Sequence, residues 1–226
     1  MNPRPDSMPA ILDERLWFPE PRKALRLEFA DGLVAIGGDL SVERLLLAYR
    51  SGIFPWTADP LTWWSPDPRG VFEFDGFHVS RSLRQVLRRD PYEVRMDTAF
   101  RSVVEGCASQ PRPGSWISGD FIRAYIRLHE AGYAHSVESW RDGELVGGIY
   151  GVAIGGLFAG ESMFHRADHA SKVALVRLWE HLRQRGFVLF DIQMVTHLTE
   201  QFGAVTIPRR DYLRRLKRAM AVRACF

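Results

Sequence analysis

The sequence predicts an α/β (α+β) protein, with a small N-terminal domain over residues 1–70 and a larger domain over 71–226 built on a mixed sheet. Three features predict it. First, the runs AHSVESWR, LVGGIYGVAI and LFAGESMF read as consecutive strands, joined at Asp142-Gly143 and Gly155-Gly156, dipeptides suited to tight hairpin turns. Second, LFAGESMF is followed by a helical segment and then by the apolar run FVLFDIQ. Such a strand–helix–strand unit makes its two strands parallel neighbours or near neighbours. Third, the stretch from Pro55 to Pro68 carries four prolines together with Trp56, Trp63 and Trp64, and places a domain boundary at about 68–72.

Residues 1–30 read as irregular, with FPEP an extended, proline-set stretch. GLVAIGGDLS ends in Asp39 and Ser41, either of which suits the N-cap of a helix over ERLLLAYRSG that Gly52 closes. Ser80 caps a further helix, with Leu83 and Leu87 turned inward and Arg81, Arg84 and Arg88 along another face. YEVRMD is a short strand, and FIRAYIRLHEAG a helix ended by Gly132. After the three hairpin strands, ASKVALVRLWEHLRQRG sets Leu175, Leu178, Trp179 and Leu182 at helical spacing, with Gly186 as its stop. Beyond FVLFDIQ come a short helix to Gly203 and a basic amphipathic tail from about Arg210.

Composition excludes some classes. The chain is 46% hydrophobic and 25% charged, the balance of a soluble globular protein. No run of 18 apolar residues offers a membrane span, and MNPRPDSMPA lacks the apolar core of a signal peptide. Cys107 and Cys225 stand far apart and form no metal-type pair, which suits a reduced cytoplasmic setting. Net charge is only +3, yet arginines crowd SRSLRQVLRR and the tail, where Arg209, Arg210, Arg214, Arg215 and Lys217 meet a single acid, Asp211. Either cluster alone reads as a solvated helix face. Two of them on a nearly balanced protein point to a polyanion, because local charge makes phosphate contacts.

Asp191 and Gln193 interrupt an otherwise apolar strand. If the two strands of the strand–helix–strand unit are neighbours, their carboxyl ends share one sheet edge, where ligands of open α/β sheets bind. That edge would gather Glu161, Ser162, Asp191 and Gln193. The alternative is structural: Asp191 capping the next helix and Gln193 satisfying a backbone group. Other motifs carry less. GESMF lacks the second glycine of a nucleophile elbow, so Ser162 reads as a hydrogen-bonding residue. His165 and His169 are four apart but have neither the intervening Glu of a zinc motif nor an evident third ligand, so no metal is expected. No dinucleotide or P-loop pattern is present.

A longer series of motifs is more specific. GLVAIGGDLS, LLLAYRSGIFPW, WWSPDPRGVF, SRSLRQVL, EGCA, GSWIS, AYIRLHEAGYAHSVESW, ELVGGIYGV, LFAGESMFHRADHASKVAL, FDIQ and FGAVTIPRRDYL follow one another in this order. Over roughly residues 14–217 the chain closely resembles the leucyl/phenylalanyl-tRNA–protein transferases. The resemblance implies a C-terminal part folded like the GNAT acyltransferases, behind a smaller N-terminal domain. It implies transfer of leucine, phenylalanine or, less well, methionine from aminoacyl-tRNA to proteins that begin with Arg or Lys, marking them for the bacterial N-end rule pathway. No cofactor is needed, because the ester is already activated.

By motif position the resemblance assigns Asp191 and Gln193 to the reacting amine, Asp191 accepting or steering its proton with Gln193 as a relay, and Glu161 to holding the cationic acceptor and ordering the same network. It assigns Ile149, Phe158, Met163 and Leu175 to the donor's apolar pocket, and Trp56 and Trp116 to the terminal adenosine. Read from the residues alone, the four pocket positions are more often plain core, and a tryptophan in a proline-rich turn is more often packing. The arginine clusters would grip the acceptor stem. Competing readings are an acetyl-CoA-dependent N-acetyltransferase, which HRADHASK argues against by lacking a glycine-rich phosphate cradle, and a non-catalytic tRNA-binding module.

Overall fold

A computed structural model of the chain describes residues 8–25, 31–110 and 117–226. It holds two sheets. The smaller has the order β1-β2-β4-β3, from β1 (Ala10–Leu12), β2 (Leu33–Gly37), β3 (Phe54–Ala58) and β4 (Leu61–Trp64), with α1 (Val42–Arg50) between β2 and β3. Ser41 is the N-cap of α1, accepting from the Arg44 amide, while Asp39 accepts from the Ser41 amide and pairs with the Arg44 side chain. The tryptophan-rich stretch is therefore a sheet: Trp63 is fully buried, and Phe18 packs edge-on against it at 4.8 Å.

The larger sheet has seven strands in the order β11-β5-β10-β9-β8-β7-β6. Its members are β5 (Arg69–Phe72), β6 (Glu93–Met96), β7 (Ala134–Arg141), β8 (Glu144–Ile154), β9 (Leu157–His165), β10 (Leu189–Gln193) and β11 (Val205–Ile207). β5 straddles the boundary expected at 70/71. The hairpin turns fall at the expected dipeptides: Asp142, Gly143 and Gly155 all take the left-handed backbone that such turns need. β9 and β10 pair in parallel as direct neighbours, and every other pairing in this sheet is antiparallel.

Five helices flank these strands. They are α2 (Arg81–Arg89), capped by Ser80 as expected, α3 (Phe100–Ala108), α4 (Gly119–Glu130), α5 (Ala170–Gln184) and α6 (His197–Glu200). α7 (Arg209–Ala219) ends the fold as the basic tail helix. α3 and β11 lie outside the elements predicted from sequence: FRSVVEGCA starts after Ala99, which offers no side-chain cap, and VTI is only three residues long.

α3 and α4 cover one face of the sheet, where Val103, Val104, Phe121 and Tyr125 meet Tyr150, Val152 and Phe164. α5 covers the other, where Ala174, Leu175, Leu178 and Leu182 meet Val137, Ile149 and Phe158. The first of these cores runs on without a break into α1 and the small sheet. That continuity lets residues before the boundary reach the site.

Candidate active site

Three backbone facts build the site. The parallel ladder of β9 and β10 ends at Asp191↔Ala159, and beyond it the strands part. On the other side of β10 the register slips between Asp191↔Val71 and Gln193↔Gly70, a bulge. Gln193 takes a left-handed conformation there (φ 57°), which costs a non-glycine residue of order 1–3 kcal/mol. Gly70 makes room for the bulge: a Cβ on it would lie 2.8 Å from the Met194 carbonyl carbon. The gap between the parted strands is a cavity of about 400 Å³ lined by Ile149, Gly160–Met163, Ile192–Met194, Thr196, Leu198 and Thr199.

Asp191 lies wholly inside the protein. Its Oδ1 accepts from Arg69 Nε (2.8 Å) and from the Gln193 amide (2.9 Å), and its Oδ2 from Arg69 Nη2 (2.6 Å) and the Tyr212 hydroxyl (2.8 Å). Arg69 is equally buried; its Nη1 donates to the Gly52 carbonyl, and its guanidinium sits 5.0 Å from the Phe54 ring and 4.4 Å from that of Tyr212. Burial alone would lower the arginine's pKa, but the facing Asp191 charge raises it above its usual value. Asp191 is therefore paired with Arg69 and has its hydrogen-bond capacity filled, and it anchors the bulge that presents Gln193.

Glu161 faces the cavity and is half-buried. It accepts from Tyr49 of α1 (2.8 Å), Tyr125 of α4 (2.9 Å) and Gln193 Nε2 (3.2 Å). Burial pushes its pKa up to about 7; the tyrosine hydrogen bonds and Arg69 work against that rise, and the Asp191 charge adds to it. Burial likewise holds the Tyr49, Tyr125 and Tyr212 phenols well above their ordinary range, so they are neutral donors.

The structure thus brings Glu161, Asp191 and Gln193 into one hydrogen-bonded network, with Ser162 at the cavity wall. Ile149 and Met163 line the same cavity, while Phe158 and Leu175 are core residues in the apolar cluster around Ile149. Trp56 is half-buried on β3, edge-on to Trp64 at 5.1 Å. Trp116 lies outside the described residues. Arg81, Arg84 and Arg88 are exposed on α2, and Arg210, Arg214 and Lys217 on α7; Arg215 is half-buried and pairs with Glu73 at 2.5 Å. Arg209 is different: only 2% exposed, it donates to the Ser65 carbonyl at 2.5 Å and faces Asp67.

Four residues of the network escaped sequence reasoning: Tyr49, Arg69, Tyr125 and Tyr212. Tyr49 and Tyr125 sit on apolar helix faces and read as core. Arg69 heads a strand, and a charge before the apolar Val71-Phe72 pair was the one available signal.

An α/β fold whose parallel strands part around one buried and one half-buried carboxylate, beside an apolar hollow, defines a ligand-binding enzyme site. Comparison with known proteins narrows this. The family model described as leucyl/phenylalanyl-tRNA protein transferase matches residues 71–217, and the model of that family's N-terminal domain matches residues 38–67. The chain belongs to this family, which is one of aminoacyltransferases. It is 53% identical over 198 residues to the leucyl/phenylalanyl-tRNA–protein transferase of Klebsiella pneumoniae (strain 342), covering 87% of this chain and 84% of that one. It is 54% identical, with the same coverage, to that of Shigella dysenteriae serotype 1. Among solved structures, L-PGS from Bacillus licheniformis aligns at a TM-score of 0.41 and 15% identity over 73% of this chain and 54% of that one, too distant to assign a fold.

Proposed function

We propose that the chain moves leucine, phenylalanine and, less readily, methionine from aminoacyl-tRNA onto proteins whose first residue is Arg or Lys. On this reading it acts in the cytoplasm as a monomer of two domains, 1–70 and 71–226, and its products enter the N-end rule pathway. The observation that carries it is the shared cavity: Ile149 and Met163 offer an apolar wall to a donor side chain, and Glu161 and Gln193 offer an acidic, hydrogen-bonding wall to a cationic acceptor. Family membership supports the same reading.

The reaction is aminolysis of an ester. The acceptor's α-amine has a reference pKa of about 7.7–8.0, so much of it is already neutral near pH 7.5. Positioning is worth roughly 7–11 kcal/mol and a general base about 3–5 kcal/mol, so the site acts chiefly by orientation. Asp191 serves as anchor, holding Gln193 through its backbone amide. With the Gln193 NH₂ donated to Glu161, its carboxamide oxygen is the group that accepts from the incoming amine. Ser162 contributes a hydroxyl at the cavity wall, and Phe158 and Leu175 shape the hollow from behind. Trp56 and Trp116 stack on the terminal adenosine, at about 1–3 kcal/mol per base. Arg81, Arg84, Arg88, Arg210, Arg214, Arg215 and Lys217 contact tRNA phosphates, while buried Arg209 supports the β4–β5 link.

Labelled leucyl-tRNA mixed with a peptide beginning with Arg tests the reading. Label should reach the peptide, and should not reach one beginning with Glu. Bound tRNA without transfer would overturn the catalytic reading in favour of a binding module, and acetyl-CoA turnover would overturn it in favour of an acetyltransferase.

A further inference from the structure

Tyr49, Tyr125 and Glu161 make three short oxygen–oxygen contacts: 2.7 Å between the phenols, 2.8 Å from Tyr49 to Glu161 Oε1 and 2.9 Å from Tyr125 to Oε2. Each contact needs one hydrogen. The two phenols supply two, and both phenols stay neutral because burial disfavours their anions. With Glu161 ionised, one contact must therefore face lone pair to lone pair. A third hydrogen on the carboxyl group closes the ring.

We propose that Glu161 is the proton acceptor of the transfer step, and that Tyr49 and Tyr125 are positioning residues forming a ring with it that is one hydrogen short until the amine's proton arrives. This rests on the function proposed above. In the step, the amine nitrogen bonds to the ester carbonyl carbon and its proton passes to the Glu161 carboxylate. The carbon–oxygen bond to the ribose then breaks, its electron pair leaves with the ribose oxygen, and that oxygen takes the proton from Glu161, which returns to the carboxylate, so amide and free 3′ end result. The two phenol hydrogen bonds favour the carboxylate that accepts the proton, and the arriving proton supplies the hydrogen that the third contact lacks. The charged and titratable groups around Glu161 fit the role. From β10 and β5, Asp191 opposes its ionisation and Arg69 favours it; Tyr150 of β8 and Tyr212 of α7 are buried phenols nearby. Gln193 donates from β10, so the amine that Gln193 orients arrives beside the carboxylate.

The test is the pH dependence of single-turnover transfer in the full chain and in Tyr49→Phe, Tyr125→Phe and Glu161→Gln. A phenol's hydrogen bond to a carboxylate is charge-assisted and outweighs the neutral phenol–phenol contact. Removing either hydroxyl should therefore raise the Glu161 pKa. The rising limb should move alkaline by about one unit, a roughly tenfold lower rate near pH 6.5 that recovers above pH 8.5. Glu161→Gln should lose about 10²–10⁴-fold on the alkaline plateau, a gap that narrows as the wild-type carboxylate protonates at lower pH. The acceptor amine contributes the same limb to every variant, so only differences count. Equal losses at all pH values in both tyrosine variants, or a Glu161→Gln rate close to wild type, would overturn the proposal. Infrared titration of the Glu161 carboxyl band, assigned by its loss in Glu161→Gln, needs no substrate. A band that titrates near pH 4 as in free glutamate would also overturn it, even if label transfer succeeds. Failed transfer with a band titrating near neutrality would count against the proposed function instead.

Discussion

Replacing Asp191 by Ala would test whether this carboxylate is an anchor or a free base. Among the described residues, Arg69–Asp191 is the one ion pair with both side chains almost wholly buried, at 1% and 0% exposure. Without Asp191, the Arg69 charge keeps the Gly52 carbonyl and two aromatic faces, and the Tyr212 hydroxyl and Gln193 amide lose their acceptor. Removing one partner of a buried pair costs about 3–5 kcal/mol, mostly for the charge left behind. At roughly 2–4 °C per kcal/mol for a chain of this size, a loss of about 4 kcal/mol lowers the melting temperature by roughly 8–16 °C. The double variant Arg69→Met with Asp191→Leu removes both charges, so it should regain most of that loss while transfer stays impaired, because the bulge has lost its tie. Circular-dichroism melts with urea unfolding, run beside a transfer assay, would decide. Asp191→Ala melting within about 2 °C of wild type would refute the anchor.

Other outcomes follow from the same geometry. Glu161 is protonated more readily in the fold than in the unfolded chain, so its stabilising contribution is full below pH 4.5 and is lost as pH rises through about 7. Glu161→Gln should therefore be more stable than wild type at pH 8, by on the order of 3 kcal/mol, and no more stable at pH 4.5; urea midpoints across pH measure this, and a pH-independent difference would contradict it. Replacing exposed Arg81, Arg84 and Arg88 together by Ala should lower the log–log salt slope of tRNA binding by about 2–3, whereas Arg209→Ala should lower the melting temperature instead. Ile149→Ala enlarges the cavity wall and should favour phenylalanine over leucine by roughly tenfold in relative kcat/KM, measured by competition between the two charged tRNAs.

Much of the fold was legible because it rests on local rules. Ser41 and Ser80 cap helices through their own hydroxyls, Asp142-Gly143 turns a hairpin, and the stripe from Leu175 to Leu182 commits α5 to one face of the sheet. Elements without a capping residue or sufficient length escape such rules: α3 is held by packing its apolar face into the core, and the three-residue β11 by its pairing with β5.

For the site, the sequence alone determined the strand–helix–strand unit, which makes β9 and β10 parallel neighbours or near neighbours and so brings the GES and DIQ segments to one edge; the structure makes them direct neighbours. Only the tertiary structure decided what those side chains do there. Asp191 meets Arg69 across 122 residues, and Glu161 meets Tyr49 across 112. Those contacts lock one carboxylate into a buried ion pair, while burial pushes the pKa of the other up to about 7 against the pull of its tyrosine donors. The reason is physical: local sequence governs turns and faces, but a carboxylate's charge is set by burial and by donors that arrive from distant parts of the chain.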